Sequence, residues 1–338
     1  MDNFAFFRPT SVAEAIDLAS GDQGRDFLAG GTTIVDLMKL AVQRPGGLVD
    51  ITGIEELEGY EIGSDRLRFG PLARMAVVAD DAGLREACPA LTESLWKAAS
   101  PQLRNVARLG GNILQRTRCP YFRDTAYTGC NKRVPGSGCA ALEGGVTSLH
   151  AILGGSEHCV AMYPGDWAQA LIAFDAEVRT RGPGGSRTIP FAELHVLPGD
   201  SPEIETILEK GEIITSIEVP VIPAMRASHY LKARDRESYA FASASAAVGL
   251  EMDGGTVKDA RIALGGVASV PWRAAAAEEV LRGKTFSEAL AREAGRAAFA
   301  DATPLEHSAY KIPLGADVVA GALMTAHARA QAAAKGEK

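Results

Sequence analysis

The sequence predicts an α+β protein of more than one domain, and three observations carry that expectation. A chain of 338 residues with 46% apolar content exceeds what one hydrophobic core usually serves, since single cores stop growing near ~250 to 300 residues. Its opening reads as a small strand–glycine turn–helix–strand unit. Its final third reads as strands followed by helices, the order of an α+β domain rather than of a continuously alternating one.

Each element has a local reason. Ser11 followed by Glu14 has the form of a capping box, and Val12, Ala13, Ile16 and Leu18 then fit the apolar spacing of a first helix. A short strand over 26–29 runs into Gly30-Gly31-Thr32-Thr33 and a helix over 34–42, which Pro45-Gly46-Gly47 should stop before a strand over 48–51. These form a first subdomain, 1–55. From 56 to 222 the apolar runs are short and mixed, at 67–69, 160–162, 167–174 and 213–219, with a helix around 91–99. Periodicity fades inside this second subdomain, over an insertion at 115–160 that is rich in glycine and proline. A loop of that length in a compact domain is usually functional or disordered. A C-terminal domain, 224–338, should hold strands over 228–233, 244–252 and 257–264, the last two joined through Asp253-Gly254-Gly255, then helices over 287–299 and 316–334.

Composition narrows the function. Charged residues are 23% and the net charge is −7 without a long basic run, which argues against a nucleic-acid surface. The N-terminus lacks the basic, apolar and small-residue order of a secretory leader. No stretch is apolar for ~18 residues, so no membrane span is expected. The expectation is a protein that is cytoplasmic as synthesised, or periplasmic by co-export with a signal-bearing partner.

Two glycine loops are candidates for holding a phosphate. Leu28-Ala29-Gly30-Gly31-Thr32-Thr33 lies where a strand meets a helix, so glycine permits close backbone approach and consecutive N–H groups can face an anion. The second, Leu109-Gly110-Gly111-Asn112, follows Arg104-Asn105-Val106-Ala107-Arg108. Either is equally readable as a plain turn. Neither has the G-x-G-x-x-G spacing of a Rossmann site or the G-K-[ST] ending of a P-loop, but a pyrophosphate held from two sides is compatible with both.

These blocks, with Tyr163-Pro-Gly-Asp166 and Ser216-Ile-Glu-Val-Pro220, resemble in order and spacing the medium FAD-binding subunits of the xanthine dehydrogenase and carbon monoxide dehydrogenase family, over about 25–330. The resemblance implies a vanillyl-alcohol-oxidase-type FAD-binding domain of two α/β subdomains, plus a C-terminal α+β domain of the CO dehydrogenase flavoprotein type. It also implies roles. Phe27, Leu28, Ala29, Gly30, Gly31, Thr32, Thr33 and Ile34 would wrap the pyrophosphate of FAD, and Arg108, Leu109, Gly110, Gly111 and Asn112 would supply the second loop. Asp166 would hold ribityl or ribose hydroxyls, Thr215 would lie near the isoalloxazine, and Lys232 would reach the cofactor from the C-terminal domain. Arg108 departs from the family, which usually carries Ser or Thr there. A charge-assisted phosphate contact and an outward-pointing side chain are both open to it.

Of five cysteines, Cys119, Cys130, Cys139 and Cys159 fall within 41 residues of the insertion, and Cys88 stands apart without an assigned role. Disulfide frameworks serve small secreted domains, so ligation is the better hypothesis here. Four thiolates suit an iron–sulfur cluster. Structural zinc remains an alternative, although it usually takes C-x2-4-C pairs and the closest pair here has eight residues between. Arg116, Arg118, Arg123, Lys132 and Arg133 make the segment basic, either as a solvated loop or as counter-charge to a cluster. The segments QRTRCPYFR and CNKRVPGSGC resemble the insertion in flavin subunits of periplasmic aldehyde oxidoreductases, and that resemblance implies a [4Fe-4S] cluster on the four cysteines.

The expected function is electron transfer in a three-subunit molybdenum hydroxylase. By resemblance, a molybdopterin-binding large subunit oxidises an aldehyde, and a small subunit with two [2Fe-2S] clusters passes electrons to FAD here. No catalytic acid or base is expected in the chain. A stand-alone flavin oxidase of a small alcohol and a zinc-stabilised assembly subunit are the rival expectations.

Overall fold

The structure is a computed structural model that describes residues 1–21 and 24–335. The last three residues of the expected 224–338 domain lie outside the described residues. A parallel three-stranded sheet opens the chain, in the order β1 (Ala5–Phe7), β3 (Gly47–Asp50), β2 (Arg25–Leu28), with α1 (Val12–Ser20) and α2 (Ile34–Lys39) in the crossovers. The Ser11 hydroxyl caps α1 by accepting from the Glu14 amide at 3.2 Å. The Glu14 carboxylate reaches back one residue further than a capping box would, accepting from the Thr10 amide at 2.8 Å.

Helix α2 stops earlier than the expected 34–42. Ala41 takes φ +56°, and the amides of Ala41 and Val42 donate to the carbonyls of Met38 and Leu37 at 3.1 and 3.0 Å. This is a Schellman ending with alanine where glycine is usual, which is why the sequence does not announce it. Its accompanying apolar contact sets Val42 against Leu37, and the same small cluster includes Phe122 and Cys130 of the insertion.

The second sheet is antiparallel and five-stranded, in the order β4 (Tyr60–Ile62), β5 (Arg66–Phe69), β8 (Ile213–Pro220), β6 (Glu177–Gly182), β7 (Gly185–Pro190). Helices α3 (Met75–Ala79), α4 (Ala82–Ala87), α5 (Pro89–Lys97), α6 (Pro101–Val106), α7 (Leu109–Ile113), α8 (Pro120–Arg123), α9 (Trp167–Ala173) and α10 (Phe191–Leu194) fall between its strands in sequence. Its core centres on Phe69 and Trp167, whose rings meet edge to face at 5.5 Å. The hairpin β6–β7 has no run of apolar residues, because its exposed positions carry arginines, and sequence patterning passed over it.

The C-terminal part has an antiparallel sheet in the order β12 (Trp272–Arg273), β11 (Thr256–Gly265), β10 (Ala244–Asp253), β9 (Ser228–Ala233). The β10–β11 turn pairs Asp253 with Thr256 across Gly254, at φ +56°, and Gly255. Helices α11 (Ala275–Leu281), α12 (Glu288–Ala297) and α13 (Lys311–Lys335) follow, and α13 buries Val318, Val319, Ala322, Leu323 and Ala326 over β9 and β10. Among the described residues no helix is long and apolar enough to cross a membrane.

Candidate functional site

The two glycine loops meet. A Cβ on Gly30 would lie 2.4 Å from the Val106 carbonyl oxygen, and one on Gly110 would lie 2.7 Å from Pro71 Cβ, so these glycines are required by close packing. Gly31 is required by its φ of +72°. Gly111 differs from all three, because a Cβ there would meet nothing within 4 Å and would project into open space.

That space is a cleft in two lobes. One cavity, of about 290 Å³, is bordered by Phe27, Ala29, Gly30, Gly31, Thr32, Thr33 and Ile34 on one side and by Arg108, Gly110 and Gly111 on the other. The second, of about 520 Å³, shares Thr32, Thr33 and Gly111 and continues past Asn112 and Asp166 to Arg236, Tyr239 and Phe241 of the C-terminal part. An elongated ligand with an anionic middle fits such a cleft: the loops face its waist, and apolar and aromatic groups face its ends. Two buried polar atoms on the walls, Arg108 Nε and Asn112 Oδ1, have no protein partner. Both suit a polar ligand, because an unpaired buried polar group is otherwise a net cost.

The remaining predicted residues are placed as follows. Arg108 borders the first cavity and donates from NH1 to the Leu72 carbonyl at 2.7 Å, which anchors the guanidinium, while burial lowers its pKa. Leu109 is buried in the core behind its loop, and Leu28 packs beneath Gly31. Asp166 accepts from Lys232 Nζ at 2.9 Å and from the Tyr230 hydroxyl at 2.6 Å. Burial, and then Asp166, raises the Tyr230 pKa well above the usual phenol value. This buried triad joins the wall of the larger cavity to β9. Lys232 also donates to the Lys97 carbonyl at 3.0 Å. Thr215 lies one residue beyond the cavity residues Ile213 and Ile214, and its hydroxyl donates to the Arg179 carbonyl at 3.2 Å.

Sequence reading missed Tyr230, Arg236, Tyr239 and Phe241. Tyr230 had a usable signal, since it shares a face with Lys232 at strand period two. The other three sit in the irregular link between β9 and β10, where no period applies.

The insertion brings its four cysteines to one small enclosed cavity, lined by Cys119, Cys130, Cys139 and Cys159 together with Lys132, His150 and His158. Cys130 and Cys139 pair as an isolated antiparallel bridge. Among the described residues, no group of three or more His, Cys, Asp or Glu side chains is arranged to hold a metal ion. The four thiols border a common space without closing on one point. Burial pushes the Cys119 thiol up to about 12, with Cys130 and Cys159 adding in the same direction. His150, almost fully buried, sets Nε2 3.3 Å from Cys119 Sγ. Burial, then Lys311, pushes its imidazole down to about 4, leaving it neutral. Cys88 lies far off in the main core beside Ser228, its thiol raised to about 12 by burial.

The basic residues of the insertion are anchored to the protein. Arg118 reaches Asp36 at 3.1 Å, and Arg123 also pairs with Asp36. Arg116 and Lys132 share Glu205, at 2.5 and 3.1 Å. Arg133 donates to the carbonyls of Tyr121 and Phe122 at 2.8 and 2.9 Å. The segment leaving α7 faces both sites: Gln115 and Arg118 border the larger cavity of the cleft, Arg116 the smaller one, and Cys119 the cysteine cavity.

Known proteins resemble this chain along nearly its whole length. Residues 2–222 match the FAD binding domain in molybdopterin dehydrogenase, and residues 228–326 match the CO dehydrogenase flavoprotein C-terminal domain. The chain is 43% identical to an aldehyde oxidoreductase FAD-binding subunit of Escherichia coli (strain K12), covering 98% of this chain and 100% of that one. It is 28% identical to the carbon monoxide dehydrogenase medium chain of Hydrogenophaga pseudoflava, over 96% and 98% of the two. The solved carbon monoxide dehydrogenase from that organism, lacking the Mo-pyranopterin moiety of its molybdenum cofactor, superposes with a TM-score of 0.75 over 97% of this chain and 98% of that one, at 28% identity.

Proposed function

The chain belongs to the FAD-binding subunits of the molybdopterin dehydrogenase family and is an oxidoreductase subunit, and from that premise we propose that it is the electron-transferring subunit of an aldehyde oxidoreductase, carrying FAD and a [4Fe-4S] cluster. Its partners in this reading are a molybdopterin-binding large subunit, where the aldehyde is oxidised, and a small subunit with two [2Fe-2S] clusters. The observation that carries the reading is the gathering of Cys119, Cys130, Cys139 and Cys159 around one cavity, joined by a few residues of chain to the cleft between the glycine loops.

Phe27 to Ile34 and Arg108 to Asn112 would hold the FAD, with the Asp166–Lys232–Tyr230 triad fixing the far wall. Thr215 would act from β8, next to the residues that border the first cavity. FAD, when bound, exchanges electrons singly or in pairs, and a cluster exchanges them singly. The protein's part is to position both and to shape the charge around them. The cleft walls would surround the flavin, and side-chain bonds from Asn131 and Arg133 to backbone carbonyls tie the insertion together.

Metal and flavin analysis of the anaerobically purified complex, combined with Cys130→Ser, tests this reading. FAD together with iron in the parent, and loss of most of the iron with FAD retained in the variant, is the expected result. Zinc without flavin in the parent, or unchanged iron in the variant, would reject it.

A further inference from the structure

Glu205 belongs neither to the glycine loops nor to the insertion. It stands at the base of an excursion between α10 and β8 that folds on itself, with the Val196 amide donating to the Glu205 carbonyl at 3.1 Å and Thr206 bridging back to His195. From there its carboxylate takes two cations at once. Oε2 lies 2.5 Å from Arg116 Nε and Oε1 lies 3.1 Å from Lys132 Nζ. Arg116 borders the smaller flavin-side cavity, and Lys132 borders the cysteine cavity beside Cys159.

Both cations are held in place. Lys132 is nearly buried and also donates to the Pro202 carbonyl of the same excursion at 2.7 Å. The Arg116 guanidinium lies 4.7 Å from the centroid of the buried Phe122 ring. Lys132 and Cys159 line the same small cavity, so the charge of Lys132 stands beside a cysteine. One carboxylate therefore balances a cation at each of the two cavities.

We propose that Glu205 is a shared counter-charge that holds down the reduction potentials of both centres, through Arg116 at the flavin cleft and through Lys132 at the cysteine cavity. The step rests on the reading of the two cavities as FAD and cluster sites. Its physical basis is that reduction adds negative charge, which nearby cations favour and a compensating carboxylate disfavours. The effect is large where charges are partly withdrawn from water. Because Glu205 acts through its partners, it is a positioning residue whose signature is a potential.

The test is a spectroelectrochemical titration of the purified complex, following flavin absorbance and the iron–sulfur signal separately, on the parent and on Glu205→Gln, Arg116→Met and Lys132→Met. Glu205→Gln should raise both potentials with FAD and iron contents unchanged. Lys132→Met should lower the cluster potential more than the flavin's, and Arg116→Met should do the reverse. Unchanged potentials in Glu205→Gln, or loss of a centre with the surviving one unshifted, would overturn the proposal. If that variant fails to assemble, equal shifts of both centres in each single-cation variant would overturn it as well. A parent complex that contains FAD but no iron would instead defeat the underlying cofactor reading, and that is seen before any variant is made.

Discussion

The glycine-loop cleft and the cysteine insertion lie within a few residues of each other in the chain, yet they are built on opposite principles. The cleft is framed by regular elements, and its floor is backbone: Gly30 lets the first loop approach the end of α6, Gly110 lets α7 approach Pro71, and Gly111 leaves the space beside it open. The insertion has one four-residue helix and is held by side chains. Arg133 fastens to the carbonyls of 121 and 122, Asn131 donates to the His158 carbonyl at 3.0 Å and accepts from the Gly138 amide at 2.9 Å, and Asp36 and Glu205 reach in from outside. A site made by leaving atoms out should fail when atoms are added. A site made by side-chain bonds should fail when those bonds are removed.

The largest effects should come from a reciprocal pair of variants. Gly111→Val places a Cβ that meets no protein atom within 4 Å, and valine is no worse than glycine inside a helix, so the fold should persist. FAD affinity should fall by at least about tenfold while iron is retained. Cys130→Ser should do the opposite. Flavin and iron contents of the two purified variants check the comparison directly, and joint loss of both centres in either one would show the two regions to be a single cooperative unit.

A smaller effect is expected at the joint between the regions. Asp36 follows the first glycine loop on α2 and takes both Arg118 and Arg123 of the insertion, all three partly exposed. Asp36→Asn should cost about 1 kcal/mol, as partly screened pairs do, and lower the melting temperature by roughly 2 °C. Proteolysis should then cut the insertion first. High salt should mimic the substitution in the parent and have little further effect on the variant. Equal salt sensitivity in both would mean that the pairs do not fasten the insertion.

How much of this was legible follows from the same contrast. Regular elements announce themselves by period, so β9, β10, β11 and α13 lie close to where alternation and helical spacing put them, and the glycine loops stand out because glycine is used where nothing else fits. The insertion's cysteines and arginines were visible as residue types, but their partners were not. Asp36 and Glu205 are 82 and 89 residues distant from Arg118 and Arg116, and nothing local marks a carboxylate as the one that will be reached. The basic loop thus reads as solvated or as cluster counter-charge, whereas the folded chain pairs four of its five cations with two carboxylates, Asp36 and Glu205. The Schellman ending of α2 on Ala41 was hidden for a related reason, since the contact that favours it, Val42 on Leu37 beside Phe122 and Cys130, is tertiary.

The finest separation of the two regions should come from acid rather than from salt. The His195 imidazole donates from Nε2 to the carbonyl of Ile113, the last residue of α7, at 2.9 Å, and its Nδ1 is buried without a partner. Burial pushes its pKa down to about 4, against the opposing pull of the Ile113 carbonyl. The unfolded chain takes up the proton near the ordinary value of about 6.5, while the folded chain resists until about 4. The contribution of neutral His195 is therefore fully present above about 6.5 and is lost as the pH falls toward 4. His195→Gln keeps an N–H donor but cannot titrate, so the parent's stability advantage in thermal melts should shrink steadily across that window. A gap that stays constant with pH would mean that the histidine is not the group through which acid loosens the second glycine loop.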